Sequence, residues 1–240
     1  MHAINISEDV LARVTRLRTR QRMFPTLDLR RTAHVVVDLQ NGFMEPGAPV
    51  EVPIAREIVP NVNRITRVVR DGGGTVVYLR FKTDAQSVAT WSSFYEFMFD
   101  RGHREEMIAA FGPDCHHFAL WPSLDVQPGD WIVDKTRYSG FVPGTCDLHD
   151  RLTAANIDTL IITGTLTNCC CESTARDAMQ RNFRVVFVSD GNAALTDAEH
   201  NATLGNMVAL FADVMDTNAV LTACAADART PARASILAGA

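Results

Sequence analysis

The chain has 240 residues, of which 47% are hydrophobic and 21% are charged, and its formal net charge is −5. These values are typical of a globular protein with one large core, and the negative charge argues against binding of nucleic acid. Six cysteines occur without any C-x-x-C pair. At this length a disulfide-rich scaffold is excluded, so we expect a reducing, cytoplasmic setting, and no apolar run is long enough to span a membrane.

Residues 1–30 are predicted to form a helical arm that precedes the main domain. Apolar residues recur at helical spacing between positions 6 and 22, and Ser7 is a suitable N-cap. These apolar residues are Val10, Leu11, Val14 and Leu17. The helix is rich in arginine, which allows two interpretations, a transit peptide or an arm that packs on a neighbouring subunit. We favour the second, and because apolar elements stand at both termini we expect a homo-oligomer, either a dimer or a tetramer.

Strand and helix patterns alternate along the rest of the chain. Apolar runs predict strands at 33–37, 75–81, 131–133, 159–162, 184–189 and 213–215. Helical spacing predicts helices at 54–70, near 102–111, and at 146–155, 198–211 and 219–226. The continuous apolar run of the first strand is typical of a strand that is buried on both faces of a parallel sheet. We therefore predict an α/β fold, in which a six-stranded parallel sheet lies between two helical layers in a single domain, 31–226, followed by a flexible tail, 227–240.

The segment from Lys82 to Pro128 is long, irregular and rich in aromatic residues, Trp91 among them. A long segment inside a compact domain is usually a lid or a binding loop. Its aromatic side chains either form a pocket wall or fill a small satellite core, and both interpretations stay open. The pair His116-His117 has no companion ligands at a useful spacing, so we interpret these histidines as loop residues rather than as metal ligands.

Two charged residues stand at the ends of predicted parallel strands. Asp38 directly follows the strand 33–37, and Lys135 follows the strand 131–133 after one intervening residue. The carboxyl ends of parallel strands form the edge at which α/β sheets bind ligands, so the two side chains could pair there. The alternatives are an aspartate that caps a turn and a lysine that is solvated at the surface.

Three consecutive cysteines lie in a turn between the strand 159–162 and a helical pattern. Such a turn places a cysteine at a helix N-terminus, where the helix dipole and the free N–H groups favour a thiolate. At helical spacing Cys171 lines up with the small residue Ala175, and Cys169 lines up with a polar face. Cys170 lies between them and is able to point over the strand ends. The alternative is three small buried thiols.

Three segments, Val37–Asn41, Asp134–Phe141 and Thr167–Thr174, together resemble the isochorismatase-like cysteine hydrolases. The resemblance covers nearly the whole chain and implies a Rossmann-like sheet with a catalytic triad at its rim. It assigns this triad to Asp38, Lys135 and Cys170. The family pattern T-N-x-C-V-E-S-T selects Cys170 among the three cysteines, and Cys171 stands where the family often has valine.

The resemblance also implies a backbone feature of the cysteine turn. The peptide bond between Thr165 and Leu166 would be cis. This geometry would turn the backbone N–H of Leu166 beside the backbone N–H of Cys170, and the two donors would then form an oxyanion hole.

The reaction that the resemblance implies is hydrolysis of a C–N bond in a small amide, ureido or carbamoyl substrate through a thioester intermediate. Asp38 would take the proton of the Cys170 thiol, and Lys135 would hold the ion pair together. We expect no cofactor. Some relatives, the nicotinamidases, carry an Asp-x-His metal site after the first motif, and since residues 45–48 contain no such histidine we predict no metal.

The substrate is less sharply indicated. Candidate substrate-binding residues are Asn41, Phe43, Trp91, Arg137 and Tyr138. The segment 137–141 resembles that of ureidoacrylate amidohydrolases, and Arg137 or Tyr138 could bind a substrate carboxylate or carbonyl, although a structural salt bridge would equally explain Arg137. In contrast, Phe81-Lys82-Thr83 does not match the pocket residues expected of that subfamily, and the aromatic residues of 91–99 suggest a flatter or more apolar substrate.

Three other functions are compatible with parts of the pattern. The first is isochorismatase activity, the hydrolysis of a vinyl ether on the same fold, but relatives with this activity typically do without the cysteine. The second is a nucleotide-binding Rossmann protein, which fails because no G-x-G-x-x-G follows the first strand. The third is a non-catalytic redox or interaction protein with the adjacent cysteines as an oxidation switch, which would leave Asp38 and Lys135 unexplained.

Overall fold

The computed structural model describes residues 1–18, 20 and 22–227, and it confirms the predicted α/β fold. Across these residues, six parallel strands form one sheet in the order β3-β2-β1-β4-β5-β6. The strands are β1 (Thr32–Val37), β2 (Thr75–Phe81), β3 (Trp131–Lys135), β4 (Thr159–Thr165), β5 (Arg184–Ala193) and β6 (Asp213–Met215). The helices are α1 (Glu8–Arg18), α2 (Asn41–Met44), α3 (Ala55–Asp71), α4 (Ala85–Thr90), α5 (Ser92–Tyr95), α6 (Arg101–Ala110), α7 (Leu148–Ala154), α8 (Glu172–Gln180), α9 (Asp197–Asn206) and α10 (Thr217–Asp227).

Two helical layers cover the sheet because successive side chains of a buried strand point to opposite faces. In β1, Val36 belongs to the core that α3 and α10 cover. Its neighbours Val35 and Val37 belong to the core that α7, α8 and α9 cover. The predicted three-layer architecture is therefore confirmed. Within the described part of the chain, no helix combines the length and the apolar character that crossing a membrane requires.

The N-terminal helix is shorter and more exposed than the sequence predicts. It spans Glu8–Arg18 rather than 6–22, and of its residues only Val14 is buried, whereas Leu17 is 75% exposed. The helix packs against its own domain, where the Arg18 guanidinium donates to the carbonyl of Ala209 at 3.3 Å. Of the predicted tail, 227–240, all but the first residue lies outside the described residues.

The segment that follows the arm is fixed to the last strand. The backbone N–H groups of Met23 and Phe24 both donate to the carboxylate of Asp213, at 2.7 and 2.9 Å. The segment predicted as a helix over 198–211 is helical throughout, as α9 to Asn206 and then as a wider helical turn, Met207–Phe211.

Strands β4 and β5 extend beyond the apolar runs that predict them. β4 continues to Thr165 and β5 to Ala193, and the pairing continues past a register shift, with Gly164 opposite Asn192. Threonine, glycine and asparagine end the apolar pattern, so the sequence predicts shorter strands. The extension carries the cysteine turn out to the rim of the sheet.

Candidate active site

The carboxyl ends of β1, β3 and β4 bring the three predicted catalytic side chains to one edge of the sheet. Asp38 directly follows β1, Lys135 is the last residue of β3, and Cys170 lies in the turn Thr167–Cys171 after β4. Since β2 stands between β1 and β3, Lys135 reaches across its end, with Nζ 5.1 Å from the centre of the Phe81 ring. Lys135 Nζ donates to Asp38 Oδ2 at 2.7 Å, and both side chains are fully buried.

The backbone at Asp38 has an uncommon conformation. Its φ angle is 52°, in the left-handed region that residues other than glycine rarely adopt, and its N–H donates to the carbonyl of Leu79 at 2.8 Å. Gly164 on the neighbouring strand has a φ of 127°, and a Cβ at this position would lie 2.1 Å from the carbonyl oxygen of Val37. Only glycine fits here, because the backbone of β4 lies directly against the peptide that precedes Asp38.

Burial and pairing set the charges of the Asp38–Lys135 pair. Burial raises the pKa of Asp38, and the Lys135 ammonium opposes this effect by Coulomb attraction. Burial alone would lower the pKa of Lys135, but attraction to the Asp38 carboxylate outweighs this effect and raises the pKa of the lysine. The lysine therefore stays charged, beside a carboxylate that is a stronger base than an exposed aspartate.

The three cysteines occupy different environments in one turn. Cys171 is fully buried against Ala175, as the helical spacing predicts, Cys169 is half-buried, and Cys170 is 6% exposed. The N–H groups of Cys169 and Cys171 both donate to the carbonyl of Leu166, at 3.1 and 3.2 Å. The peptide bond that precedes Leu166 is cis.

Cys170 is the cysteine that interacts with Asp38. A hydrogen bond with the Cys170 side chain lowers the pKa of Asp38, although by less than burial raises it. Asp38 Oδ1 is buried and has no hydrogen-bond partner within the cut-off distance among the described residues. This oxygen is therefore available to accept the thiol proton.

The helix N-terminus favours a thiolate, but the surroundings of Cys170 favour the protonated thiol. A hydrogen bond with Cys169 and burial raise the pKa of the Cys170 thiol well above its ordinary value, and the attraction of Lys135 does not compensate. A helix N-terminus stabilises an anion by about 0.3–1 kcal/mol, which is less than the cost of burying a charge. The same hydrogen bond lowers the pKa of Cys169. Cys170 is thus a thiol that needs a base when it reacts.

Two polar residues that the sequence analysis did not single out hold the rim in place. Gln40 is fully buried, and its amide accepts the N–H of Phe81 at 2.7 Å and donates to the carbonyls of Phe81 and Phe118, at 2.9 and 3.0 Å. His200 is also buried, with Nε2 2.9 Å from the carbonyl of Ser189 and Nδ1 2.8 Å from the hydroxyl of Thr167. Neither role has a local sequence signal, because the partners are distant in the chain.

A cavity of about 530 Å³ opens at this rim, and both Cys169 and Cys170 line it. Its wall is mainly apolar and comes from the end of β2 and from the segments that follow β1, β2, β3, β4 and β5. The other lining residues are Phe43, Ala48, Pro49, Val50, Glu51, Val52, Phe81, Phe94, Phe99, Met107, Phe111, Tyr138, Leu166 and Leu195. A cleft of this size accommodates a small organic ligand.

The structure divides the predicted substrate-binding residues into two groups. Phe43 and Tyr138 line the cavity. Trp91 lies outside the cavity lining. Its ring is stacked on that of Phe94, with 4.1 Å between the ring centres, and it lines a separate shallow cleft together with Arg137. Asn41 is buried under the turn His116–Phe118, where its Nδ2 donates to the carbonyl of His116 at 3.1 Å.

The histidine pair has a carboxylate neighbour in space. Oε2 of Glu45 lies 3.2 Å from Nε2 of His116 and 3.5 Å from Nε2 of His117. Among the residues that the structure describes, no group of three or more histidine, cysteine or carboxylate side chains is placed so that it could hold a metal ion. These contacts fasten the turn His116–Phe118 to the segment after β1.

Comparison with known proteins identifies the family. Residues 32–219 match the isochorismatase domain family. Ureidoacrylate amidohydrolase RutB from Methylobacterium radiotolerans is 29% identical over 223 residues, which cover 88% of this chain and 86% of that protein. A crystal structure of a cysteine hydrolase from Pseudomonas syringae pv. phaseolicola has a TM-score of 0.77 and 29% identity, and covers 86% of this chain and 97% of that chain.

A second solved structure is N-carbamoylsarcosine amidase from Thermoplasma acidophilum, with a TM-score of 0.62 and 25% identity over 78% of this chain and 97% of that chain. The family match spans most of the 240 residues. The chain therefore belongs to the isochorismatase-like cysteine hydrolase family, which confirms the resemblance that the three motifs carry.

Proposed function

We propose that this chain hydrolyses a C–N bond of a small amide, ureido or carbamoyl compound through a thioester on Cys170. Relatives are named as a ureidoacrylate amidohydrolase and an N-carbamoylsarcosine amidase, and the chain is a hydrolase of this class, which acts on non-peptide C–N bonds. The observation that carries the cysteine mechanism is the arrangement of Asp38, Lys135 and Cys170. One carboxylate interacts with both a buried ammonium and a thiol, and the thiol lines a cavity.

In the first step, Asp38 accepts the Cys170 proton while the sulfur forms a bond to the carbonyl carbon of the substrate. Burial raises the pKa of Asp38, which makes the carboxylate a better base for a thiol that is not ionised beforehand. The Lys135 ammonium stays within the site, 2.7 Å from Asp38 Oδ2, and its charge stabilises the negative charge that moves to the substrate oxygen.

We assign the oxyanion hole to the backbone N–H groups of Leu166 and Cys170. Leu166 directly precedes the helical turn Thr167–Cys171 and Cys170 lies in it, and the first N–H groups of a helix lack partners within it. The carbonyl of Leu166 is already occupied by the N–H groups of Cys169 and Cys171. One well-placed donor of this kind typically lowers an acyl-transfer barrier by about 3–4 kcal/mol.

The remaining steps use the same base. Protonated Asp38 gives its proton to the nitrogen as the C–N bond breaks, so that ammonia or an amine leaves and an acyl thioester remains on Cys170. Asp38 then deprotonates a water molecule, which attacks the thioester carbonyl. The C–S bond breaks, the sulfur takes back the proton, and the acid product leaves. Residues of the chain perform every proton transfer in this scheme.

Ammonia release tests the proposal. A panel of ureido acids, carbamoyl compounds and primary amides would be assayed with the wild type, with Cys170→Ala and with the adjacent control Cys169→Ala. We expect Cys170→Ala to lose at least about 1,000-fold in kcat/KM on every compound that the wild type hydrolyses, as removal of a nucleophile does. We expect Cys169→Ala to keep most of its activity. Hydrolysis that survives in Cys170→Ala would overturn the mechanism.

A further inference from the structure

The cavity offers no cation for an anionic substrate. Among the described residues that line it, none is lysine, arginine or histidine, and the single charged residue is Glu51. Its carboxylate is fixed, because it pairs with the Arg56 guanidinium at 2.8 Å and accepts the N–H of Gly47 at 2.8 Å. The hydrogen bond from Gly47 and the interaction with Arg56 lower the pKa of Glu51, and the Arg56 guanidinium balances its charge, so this pair leaves no free cation at the wall.

Two further cations, Lys135 and Arg137, lie at the end of the same strand and also have other partners. Lys135 Nζ donates to Asp38 and to the carbonyl of Arg137, at 2.7 and 3.1 Å. The Arg137 guanidinium donates to the carbonyl and the hydroxyl of Thr90, at 3.1 and 2.9 Å, and lies 4.9 Å from the centre of the Trp91 ring. Arg137 thus fastens α4 over the site and is not among the residues that line the cavity.

Aromatic rings in mutual contact form much of the wall of the cavity. The ring of Phe111 is fully buried, and its centre lies 4.7 Å from that of Phe43 and 5.4 Å from that of Phe81. The ring centre of Phe94 lies 5.4 Å from that of Tyr138. Rings in mutual contact have few alternative rotamers, so the wall is preorganised for an apolar group.

We propose that the acyl part of the substrate is uncharged and aromatic or alkyl, and that this enzyme discriminates against amides whose acyl part carries a carboxylate. The proposal rests on the function given above, since it concerns the group that Cys170 would acylate. A carboxylate placed against this wall would lose its hydration without gaining a cationic partner.

A matched pair of substrates tests this specificity. 4-Methylbenzamide and 4-carbamoylbenzoate have the same ring and the same reacting amide, and they differ only in an uncharged or an anionic para substituent. Each would release ammonia and the corresponding acid. We expect kcat/KM to be at least about 100-fold higher for the methyl compound, the size of effect that burial of an unpaired charge produces. Equal rates, or a preference for the carboxylate, would overturn the proposal.

A substitution at the rim sharpens the test. Leu195 lines the cavity and is 54% exposed, so Leu195→Arg adds a cation without burying it. We expect this variant to shift the ratio of the two kcat/KM values toward the carboxylate by at least about tenfold. Leu210 is 67% exposed and does not line the cavity, and Leu210→Arg is expected to leave the ratio unchanged. A shift of equal size in both variants would contradict the proposed role of the wall.

A binding measurement separates failure of this inference from failure of the proposed reaction. The two compounds would be compared as protectants of wild-type Cys170 against iodoacetamide, with the labelled site located by mass spectrometry. We expect the methyl compound to protect at a concentration at least about tenfold lower. Better protection by the carboxylate overturns the inference even if hydrolysis depends on Cys170. Hydrolysis that persists in Cys170→Ala, combined with selective protection by the methyl compound, overturns the reaction alone.

Discussion

The site combines two regions that are built in different ways. The rim, with Asp38, Lys135 and the cysteine turn, is fixed by strand register, and its aspartate and lysine are fully buried. The covering segment, 82–128, has short helices and much irregular chain, with side chains that range from the fully buried Phe111 to the 79% exposed Phe97. The rim holds charged groups in contact with one another, whereas the covering segment supplies apolar rings. In the proposed function the rim would carry the reaction chemistry, and the covering segment would supply much of the apolar wall, together with rings such as those of Phe43 and Tyr138 from other segments.

The largest effect is expected when the charge balance of the rim is broken. Lys135→Met leaves the Asp38 carboxylate buried without its ammonium, and removal of one partner of a buried pair typically costs about 3–5 kcal/mol. We expect this loss in the free energy of unfolding, measured with urea, together with loss of ammonia release. Lys82→Met is the control, since Lys82 is partly exposed and pairs with Asp84 at 3.1 Å, and its loss should cost less than about 1 kcal/mol. An equal loss in the free energy of unfolding for Lys135→Met and Lys82→Met would contradict the expectation that a buried ion pair costs more to break than an exposed one.

A backbone substitution tests how closely the rim depends on the approach of two strands. Gly164→Ala would place a Cβ 2.1 Å from the Val37 carbonyl oxygen at a positive φ. We expect a loss of about 2–4 kcal/mol in the free energy of unfolding and a loss of activity, because the peptide that carries Asp38 must move. Gly205→Ala is the matched control, with no atom within 4 Å of the added Cβ. In helix α9 it should stabilise the protein by about 0.5–1 kcal/mol, and a wild-type-like Gly164→Ala would contradict the close approach.

Two buried histidines link the stability of the rim to pH. His34 lies between the hydroxyls of Thr66 and Thr163, and burial lowers its pKa to about 3. Burial also lowers the pKa of His200 to about 4. Both side chains titrate near pH 6.5 in the unfolded chain, so below this pH the unfolded state binds more protons. Stability should be complete above about pH 6.5 and should fall toward pH 4 by about 1.4 kcal/mol per pH unit for each histidine.

Urea unfolding between pH 4 and 8 measures this slope. We expect His34→Gln to remove the contribution of one histidine from it. The control is His103→Gln, because the side chain of His103 is 69% exposed. A His34→Gln variant with an unchanged slope would show that His34 does not stay neutral in the folded protein.

The smallest effect is expected outside the cavity. Arg137→Ala removes contacts to Thr90 and Trp91 but no residue of the cavity lining. We expect kcat/KM to change by less than about threefold, since a partly exposed arginine contributes little. A loss of tenfold or more that is confined to carboxylated substrates would instead show that Arg137 binds the substrate carboxylate. The rim and the covering segment would then both take part in substrate choice.

The rim was the more predictable region. Asp38 and Lys135 stand at the ends of apolar runs, and parallel strands deliver such residues to one edge, so their proximity follows from the topology. The placement of Cys171 against Ala175 likewise follows from helical spacing. The raised pKa of Cys170 does not follow from the sequence. It depends on the hydrogen bond with Cys169, on burial and on the nearby Asp38, and these arise only in the folded chain.

The covering segment was less predictable because it lacks a regular period. Trp91 and Arg137 are candidates for substrate binding by residue type, yet they contact each other and Thr90 behind the cavity. Gln40 and His200 are ordinary polar residues in the sequence, and their buried hydrogen bonds join segments that are far apart in the chain. The burial of the arm is also not predicted by its sequence. The apolar residues of α1 recur at helical spacing, yet only Val14 is buried.

The most direct test of the thioester mechanism is the location of the acyl group during turnover. Wild-type enzyme would be quenched with acid while it hydrolyses its best substrate, and the peptide with Cys169, Cys170 and Cys171 would be fragmented by mass spectrometry. We predict an acyl adduct on Cys170 that appears with substrate and disappears when the substrate is exhausted. An adduct that forms and decays on Cys169 or Cys171 instead, or full turnover by Cys170→Ala, would contradict the assignment of Cys170 as the nucleophile.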